Sequence, residues 1–477
     1  MRFFLLLTLS FLSQLSFSQS LVWSPAEVIF SSIAQPAPPE IGGDQTSPCF
    51  DAKSGANNLL HITWSDVASG ETEILYSNKE NGSFSDPENI SQTPQNASAW
   101  PSLAVGSGKI YCAWTEMSED LEGGSIYVAQ KALPNQWSTS VLASEPDIEP
   151  ISIFPTVCVT SLGQVALAYN VVVFDEINIE YLFELRIKAF DPDNSTFVNL
   201  PSPQTDPSIA AFRPVLVADN LGGFHCLWYD GGSSGIPSGR YVAHSHFDGQ
   251  SWGATTAISD ASFQVWDDLP LQCLSNSAGD LTVLWTSFAP TENQMAVKPF
   301  GQSFQPSKIL PFYTTDWDAA ITQNGALHFV GDSQEGSLDY AYNNAGMWNM
   351  GTPLVSEQGE TGSYPELIVV NDTLHLFWEE GGQMLYRTKP SILSGTSEKY
   401  WPKIKVSPNP CTNYLQIEGP QTIEGQQARI FDFVGRLIST QTIRDKNQIN
   451  IDALAPGVYQ LYIVDEENSY TQSFVKQ

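Results

Sequence analysis

The sequence predicts an all-β protein in two parts. The first is a seven-bladed β-propeller closed by its own N-terminal strand, with six and eight blades as neighbouring alternatives; the second is a small C-terminal β-sandwich. Three observations carry this. A phrase of alternating strands ending at an aromatic and an acid recurs about every 45 to 60 residues. Each unit holds four short strands, as a propeller blade does. The last unit lacks its fourth strand, and a matching phrase stands near the start of the chain.

The repeated phrase is a proline, an alternating strand, a short turn and a second strand. It reads Pro48…His61-Ile62-Thr63-Trp64-Ser65-Asp66 in the first copy and Pro101…Tyr111-Cys112-Ala113-Trp114-Thr115-Glu116 in the second. The third copy is weaker, Pro155…Ala168-Tyr169. Pro214…His225-Cys226-Leu227-Trp228-Tyr229-Asp230 and Pro270…Val283-Leu284-Trp285 follow. The sixth lacks proline and tryptophan but keeps Leu327-His328-Phe329-Val330-Gly331-Asp332, and the seventh is Pro365…His375-Leu376-Phe377-Trp378-Glu379.

Phase assigns several residues. His61, His225, His328 and His375 share one repeat position, which argues for packing over catalysis. Cys112 matches Cys226 in phase and Cys158 matches Cys273, as expected of small buried side chains. The seventh unit ends at Met384-Leu385-Tyr386-Arg387. Leu21 to Ile29 matches the fourth-strand phrase at Ser251-Trp252…Ala257-Ile258. Pairing the two closes the ring and leaves no bare sheet edge.

Arg2 and the apolar run to about Leu12 read as a secretory signal over residues 1–18. The propeller is expected over 19–390, a linker over 391–402 and the sandwich over 403–477. The net charge of −31 belongs to the segment before Lys399, because acidic and basic side chains balance beyond it. Such a surface repels phosphate backbones, so nucleic acid is not an expected partner, whereas cations and neutral glycans are. Membrane contact is expected only during export or through surface anchoring.

The turns Asn81-Gly82-Ser83-Phe84-Ser85, Asp248-Gly249-Gln250-Ser251-Trp252 and Gly301-Gln302-Ser303-Phe304 are similar to the Asp-box turns of sialidase-like propellers, or BNR repeats. The resemblance covers about residues 22–390 and implies the fold. A sialidase also needs three arginines converging on a carboxylate, a tyrosine nucleophile with a glutamate, and an acid aspartate. The propeller arginines are Arg186, Arg213, Arg240 and Arg387. Phe212-Arg213-Pro214 resembles the family's first arginine motif, but only Arg213 and Arg240 fall on the expected ligand face.

That face receives the connections entering each first strand and those joining the second to the third. Just before the first strands sit Trp100, Phe154, Phe212-Arg213, Trp266-Asp267-Asp268, Asp316-Trp317-Asp318 and Tyr364. The second-to-third connections add acids, among them Glu73, Glu116, Asp332, Glu379 and Glu380. An aromatic ring inside an acidic rim suits glycan stacking or a cationic ligand. The plainer reading is that the aromatics plug the channel and the acids are solvated. The candidate ligand residues are Trp100, Phe154, Arg213, Trp266, Asp268, Trp317 and Tyr364.

No catalytic residue is assigned. The chain has no Gly-x-Ser-x-Gly, His-Glu-x-x-His, phosphate loop or dinucleotide fingerprint, and no cofactor or metal is assigned either. His244 and His246 share a strand face near Asp248, but two histidines make an incomplete ligand set.

The tail carries Pro408-Asn409-Pro410, Asp432-Phe433-Val434-Gly435-Arg436, Leu454-Ala455-Pro456-Gly457-Val458-Tyr459 and a final Val475-Lys476-Gln477. This ordered set resembles the type A sorting domain of bacterial type IX secretion. The resemblance implies sorting residues Pro408, Asn409, Pro410, Gly435, Arg436, Gly457, Tyr459 and Lys476. It also implies the secretion machinery as partner and a secreted or outer-surface location. Cys411 departs from the small polar residue usual after Pro-Asn-Pro and offers a reactive thiol. For the cargo, the leading expectation is a non-catalytic propeller that binds a glycan or protein. A glycoside hydrolase or lyase acting on polysaccharide and a structural surface component are the alternatives.

Overall fold

The computed structural model describes residues 23–30, 50–391 and 405–477, apart from 56–57, 68–71, 81, 119–122, 133–134, 176–179, 205–209, 232–240, 260–263, 266–269, 290, 323–324, 333–336, 345–346, 351–361, 419–424, 433–436, 444–446 and 465–468. The expected secretory signal, most of the linker, and Trp266, Asp268, Gly435 and Arg436 lie outside the described residues.

Every described element is a strand. Up to Pro390 the strands form seven antiparallel sheets of four or five, numbered here as blades in the order of the repeats. The two weak copies are full blades. The third contains the longest of the described hairpins, Val165–Asp175 with Glu180–Asp191. The sixth runs Trp317–Ile321, Leu327–Asp332, Leu338–Asn344 and Met347–Met350. It carries Gly331 where five copies have tryptophan and the third has Tyr169, and a Cβ there would meet Thr314 Cγ2 at 2.4 Å.

The N-terminal strand Glu27–Phe30 completes the seventh blade, with Glu27 opposite Tyr386 and Val28 opposite Leu385. Ser24 adds two bonds to the same edge, its N–H to Thr388 O at 2.8 Å and its Oγ accepting from Thr388 N at 3.0 Å. Phe30 reaches the first blade, where it stacks on Trp64 with centroids 4.2 Å apart. Closure therefore joins both backbone and core.

Each blade is buried on both faces, so its central strands are nearly continuous in apolar character; Phe224–Asp230 is buried at every position. One apolar cluster fills each of the seven blade junctions. The repeat tryptophans Trp64, Trp114, Trp228 and Trp285 are fully buried there. Three indoles donate to the acid two residues on: Trp114 to Glu116 at 3.1 Å, Trp228 to Asp230 at 2.9 Å and Trp378 to Glu380 at 3.1 Å.

The repeat histidines pack as their phase predicts. Nδ1 of His61, His328 and His375 meets the hydroxyl of Tyr76, Tyr340 and Tyr386 at 2.7, 2.7 and 2.6 Å. Cys112, Cys158, Cys226 and Cys273 are buried and free.

The C-terminal part is a sandwich. One sheet holds Lys405–Ser407, Tyr414–Glu418 and Gln448–Asn450; the other holds Leu437–Thr442, Gln427–Asp432, Gly457–Val464 and Ser469–Lys476. Leu415, Ile417, Ile430, Ile449, Leu461, Ile463 and Phe474 form its core. Asn409 Oδ1 accepts from Val475 N at 2.9 Å, and Cys411 exchanges backbone bonds of 2.8 Å with Val475 and Gln477. The Pro-Asn-Pro segment is thus stapled to the final strand, which brings the first and last parts of the motif set together. Tyr459 stacks on Phe474 and donates to Ala455 O at 2.8 Å.

Cys411 differs from its sequence reading. Its side chain is fully buried, and its Sγ donates to Val475 O at 3.1 Å. Burial pushes the thiol pKa up, which disfavours the reactive thiolate.

Candidate ligand site at the mouth of the central channel

Four inner strands share a backbone device. Trp100, Phe154, Arg213 and Tyr364, each followed by proline, adopt φ of +51°, +55°, +50° and +52°. At each of them the register with the second strand slips by one residue, as in a β-bulge. Left-handed backbone in residues bearing a Cβ costs on the order of 1–3 kcal/mol each. The proline that follows has no N–H, so the bulge leaves no ladder donor stranded. The proline of the repeat is therefore a bulge marker, and the residue before it is turned toward the axis.

The four side chains, with Trp317, line one cavity of about 280 Å³ at the channel mouth, and all seven blades contribute to its wall. Trp100 meets Phe154 at 4.7 Å between centroids, and Phe154 meets Phe212 at 5.3 Å edge to face. The Arg213 guanidinium lies 5.1 Å from the Phe154 ring. Trp317 is more core than wall: it stacks on Phe329, and its Nε1 donates to Thr286 Oγ1 at 2.8 Å. Five of the seven expected ligand residues thus surround one cavity, and the other two fall outside the described residues.

Below the mouth a ring of polar side chains ties the blades together. The inner strand is the edge of its blade, and its outward N–H groups need partners from outside the ladder. Asp51, Ser102 and Thr156 accept from the N–H of Leu103, Val157 and Leu216 in the next blade at 2.6, 3.2 and 3.4 Å. Gln272, Asp318 and Glu366 accept from Ala319, Leu367 and Ala52 at 3.1, 2.5 and 3.1 Å. Val215 holds the same phase in the fourth blade and packs against the fourth-to-fifth junction cluster instead. The channel continues beneath as a second cavity of about 560 Å³.

The ring concentrates charge. Lys53 Nζ bonds to the Asp51 carboxylate and lies 3.9 Å from Glu366 Oε1. Its side chain is 45% exposed and lines both cavities, so this exposure is to the channel lumen. Burial opposes the ammonium, but Asp51 and Glu366 outweigh it and hold the Lys53 pKa above its ordinary value. Burial and the neighbouring Asp318 raise Glu366 well above the carboxylate range. Burial pushes Asp316 and Asp318 up to about 7, against backbone bonds from Tyr364 and Leu367 that favour ionisation. Asp316, Asp318 and Glu366 therefore hold protons more readily than an ordinary carboxyl.

The expected acidic rim is not found among the described acids. Glu116 and Glu380 sit buried beneath their own indoles. Glu73 is fully buried and accepts from Ser91 Oγ and from Thr93 N. Glu379 accepts from Gly382 N at 2.7 Å, and Asp332 from Asp316 N at 3.1 Å. These side chains are spent on bonds within their own blades. The acids of the site lie instead in the floor, at Asp51, Asp316, Asp318 and Glu366.

The described propeller arginines do not converge. Arg186 pairs with Glu149 and Glu184 at 3.3 and 2.6 Å, and Arg387 lies over the Trp378 ring. Arg240 lies outside the described residues, and Arg213 alone of the described arginines lines the mouth.

Fold and site together define an all-β propeller joined to a sandwich. Residues 405–477 match the family described as the secretion system C-terminal sorting domain. The protein therefore carries a type IX sorting domain and is exported, to a secreted or outer-surface location. The polysaccharide lyase Uly1 superposes with a TM-score of 0.50 at 8% identity, covering 78% of this chain and 100% of that one. PorZ, a surface component of the type IX secretion system of Porphyromonas gingivalis, gives 0.42 at 12% identity over 89% of this chain and 59% of its own. The Trypanosoma rangeli sialidase gives 0.44 at 9% identity over 77% and 60%. Identities this low speak to fold alone. No curated protein sequence matches the chain.

Proposed function

We propose that this exported propeller binds a neutral glycan at the channel mouth and does so without catalysis. The observation that carries the reading is the set of four left-handed residues before prolines, whose side chains wall one cavity with aromatic surface above a polar floor. Backbone strain repeated at one site, in side chains that gather round one cavity, is the kind of feature a ligand clamp retains. Aromatic faces stack on sugar rings, and Arg213 and the floor carboxyls supply donors and acceptors for hydroxyls. The carboxyls of Asp316 and Asp318 are committed to backbone bonds, which suits a scaffold better than an acid that must exchange its proton with a substrate.

A glycan array probed with the purified protein tests this, alongside Trp100→Ala and Tyr364→Ala variants. Binding to neutral oligosaccharides that both variants weaken supports the reading; absence of binding, or binding that neither variant alters, opposes it. A polysaccharide panel adds the enzymatic arm. Turnover abolished by Asp316→Asn or Asp318→Asn would replace a binding module with a glycosidase or lyase.

A further inference from the structure

At the end of the fourth blade remote from Arg213, the repeat histidine has acquired new company. In three blades the Nδ1 of this histidine meets a tyrosine hydroxyl. Here the tyrosine position is His244, and His225 Nδ1 meets His244 Nε2 at 2.9 Å. That contact fixes the ring and leaves Nε2 as the ligand atom of His225. Two residues further along the same strand face, the His246 ring stacks on His225 at 4.4 Å, and its Nε2 lies 2.7 Å from Asp219 Oδ2.

Asp219 is held in turn. Its Oδ1 accepts from the N–H of Leu221 and of Gly223, both at 2.8 Å, so Oδ2 is aimed at the histidines. A Cβ at Gly223 would stand 2.9 Å from Asp219 Oδ2 and 3.2 Å from His246 Nε2, so the backbone itself forms one wall. One ligand atom from each of Asp219, His225 and His246 lies within 4.8 Å of the others. A cavity of about 340 Å³ opens beside them, with Lys298 in its lining.

We infer that Asp219, His225 and His246 form a binding site for a divalent transition-metal ion of the zinc type, with a coordination position open to this cavity. Two imidazoles and one carboxylate suit zinc and its neighbours, whereas calcium and magnesium require oxygen ligands throughout. The His244 contact to His225 and the backbone bonds to Asp219 are the outer supports such a site needs. The Lys298 ammonium in the lining suits an anion or hydroxide at the open position. Asp248, the acid nearest in sequence, takes no part: its carboxylate caps its own turn through Gln250 N and Ser251 N at 2.9 and 2.7 Å.

The test uses the full chain without an affinity tag. Zinc binding is measured by calorimetry, and the cobalt ion, added alone, is followed by its visible ligand-field bands. One equivalent of either ion should bind, and zinc should raise the melting temperature. Asp219→Asn and His246→Gln, at partly exposed positions, should abolish the bands while the variants remain folded. His244→Phe should weaken zinc binding about 10- to 100-fold, as outer-shell losses do, and His61→Gln should leave it unchanged. No stoichiometric binding, or binding that survives in the Asp219→Asn/His246→Gln double variant, would overturn the assignment.

Discussion

Glu366 Oε1 accepts a hydrogen bond at 3.1 Å from the backbone N–H of Ala52, 314 residues away in sequence. The bond spans the seam between the last and first blades, where the N-terminal strand also closes the ring. Glu366→Ala leaves the buried Ala52 N–H unpaired, and the expected cost is about 1–3 kcal/mol. Glu366→Gln keeps the carbonyl acceptor and should cost less than about 0.5 kcal/mol. Chemical denaturation of the three proteins checks the order, and equal losses in both variants would contradict the clasp.

The buried indoles divide into two kinds. Trp228 Nε1 donates to Asp230, whereas Trp285 Nε1 has no hydrogen-bond partner among the described residues. Both lose similar volume on substitution by phenylalanine. Trp228→Phe should therefore destabilise more than Trp285→Phe by about 1.5–3 kcal/mol, the worth of a bond to a charged acceptor.

His328 is fully buried, and burial lowers its pKa to about 4. The folded state keeps the ring neutral while the unfolded chain takes up a proton near the ordinary value of about 6.5. The contribution of His328 is thus present above about 6.5 and lost as pH falls toward 4. His61 and His375 behave alike. His328→Leu should melt lower at pH 7 but lose less stability than wild type between pH 7 and 4.5. Melting curves at stepped pH give both slopes, and parallel slopes would refute the assignment.

Asp318 acts with the opposite sign. Its folded pKa of about 7 lies above the unfolded value of about 4. Its contribution is present below the unfolded value and lost as pH rises toward 7. Asp318→Asn should accordingly show a smaller fall in melting temperature from pH 5 to pH 8 than wild type.

Much of the fold was legible because packing repeats. Trp64, Trp114, Trp228, Trp285 and Trp378 announce second strands, and His61, His328 and His375 share a partner as well as a phase. The Leu21–Ile29 phrase announced closure, which the described part of that segment bears out. The sandwich motifs were legible because Asn409 and Val475 must meet. The clasp was not legible, since its acceptors are as different as Ser102, Gln272 and Glu366 and each partner is a backbone N–H in another blade. Glu116 and Glu380 were misplaced on a rim because alternation does not say that an indole two residues earlier will claim a carboxylate. The cavity wall could be read from residues before prolines, but the left-handed backbone that aims them could not. Asp219 escaped notice because it sits in a turn, distant in sequence from His246.

Binding at the channel mouth is tested most directly by titrating wild type and Tyr364→Ala with the neutral oligosaccharide that ranks highest on the array. Phe300→Ala, exposed at the opposite end of the fifth blade, serves as the control. Loss of one stacking wall should weaken binding about tenfold, equivalent to about 1.4 kcal/mol, with the control unchanged. An affinity that Tyr364→Ala leaves intact, or that Phe300→Ala reduces equally, would contradict a site at the mouth.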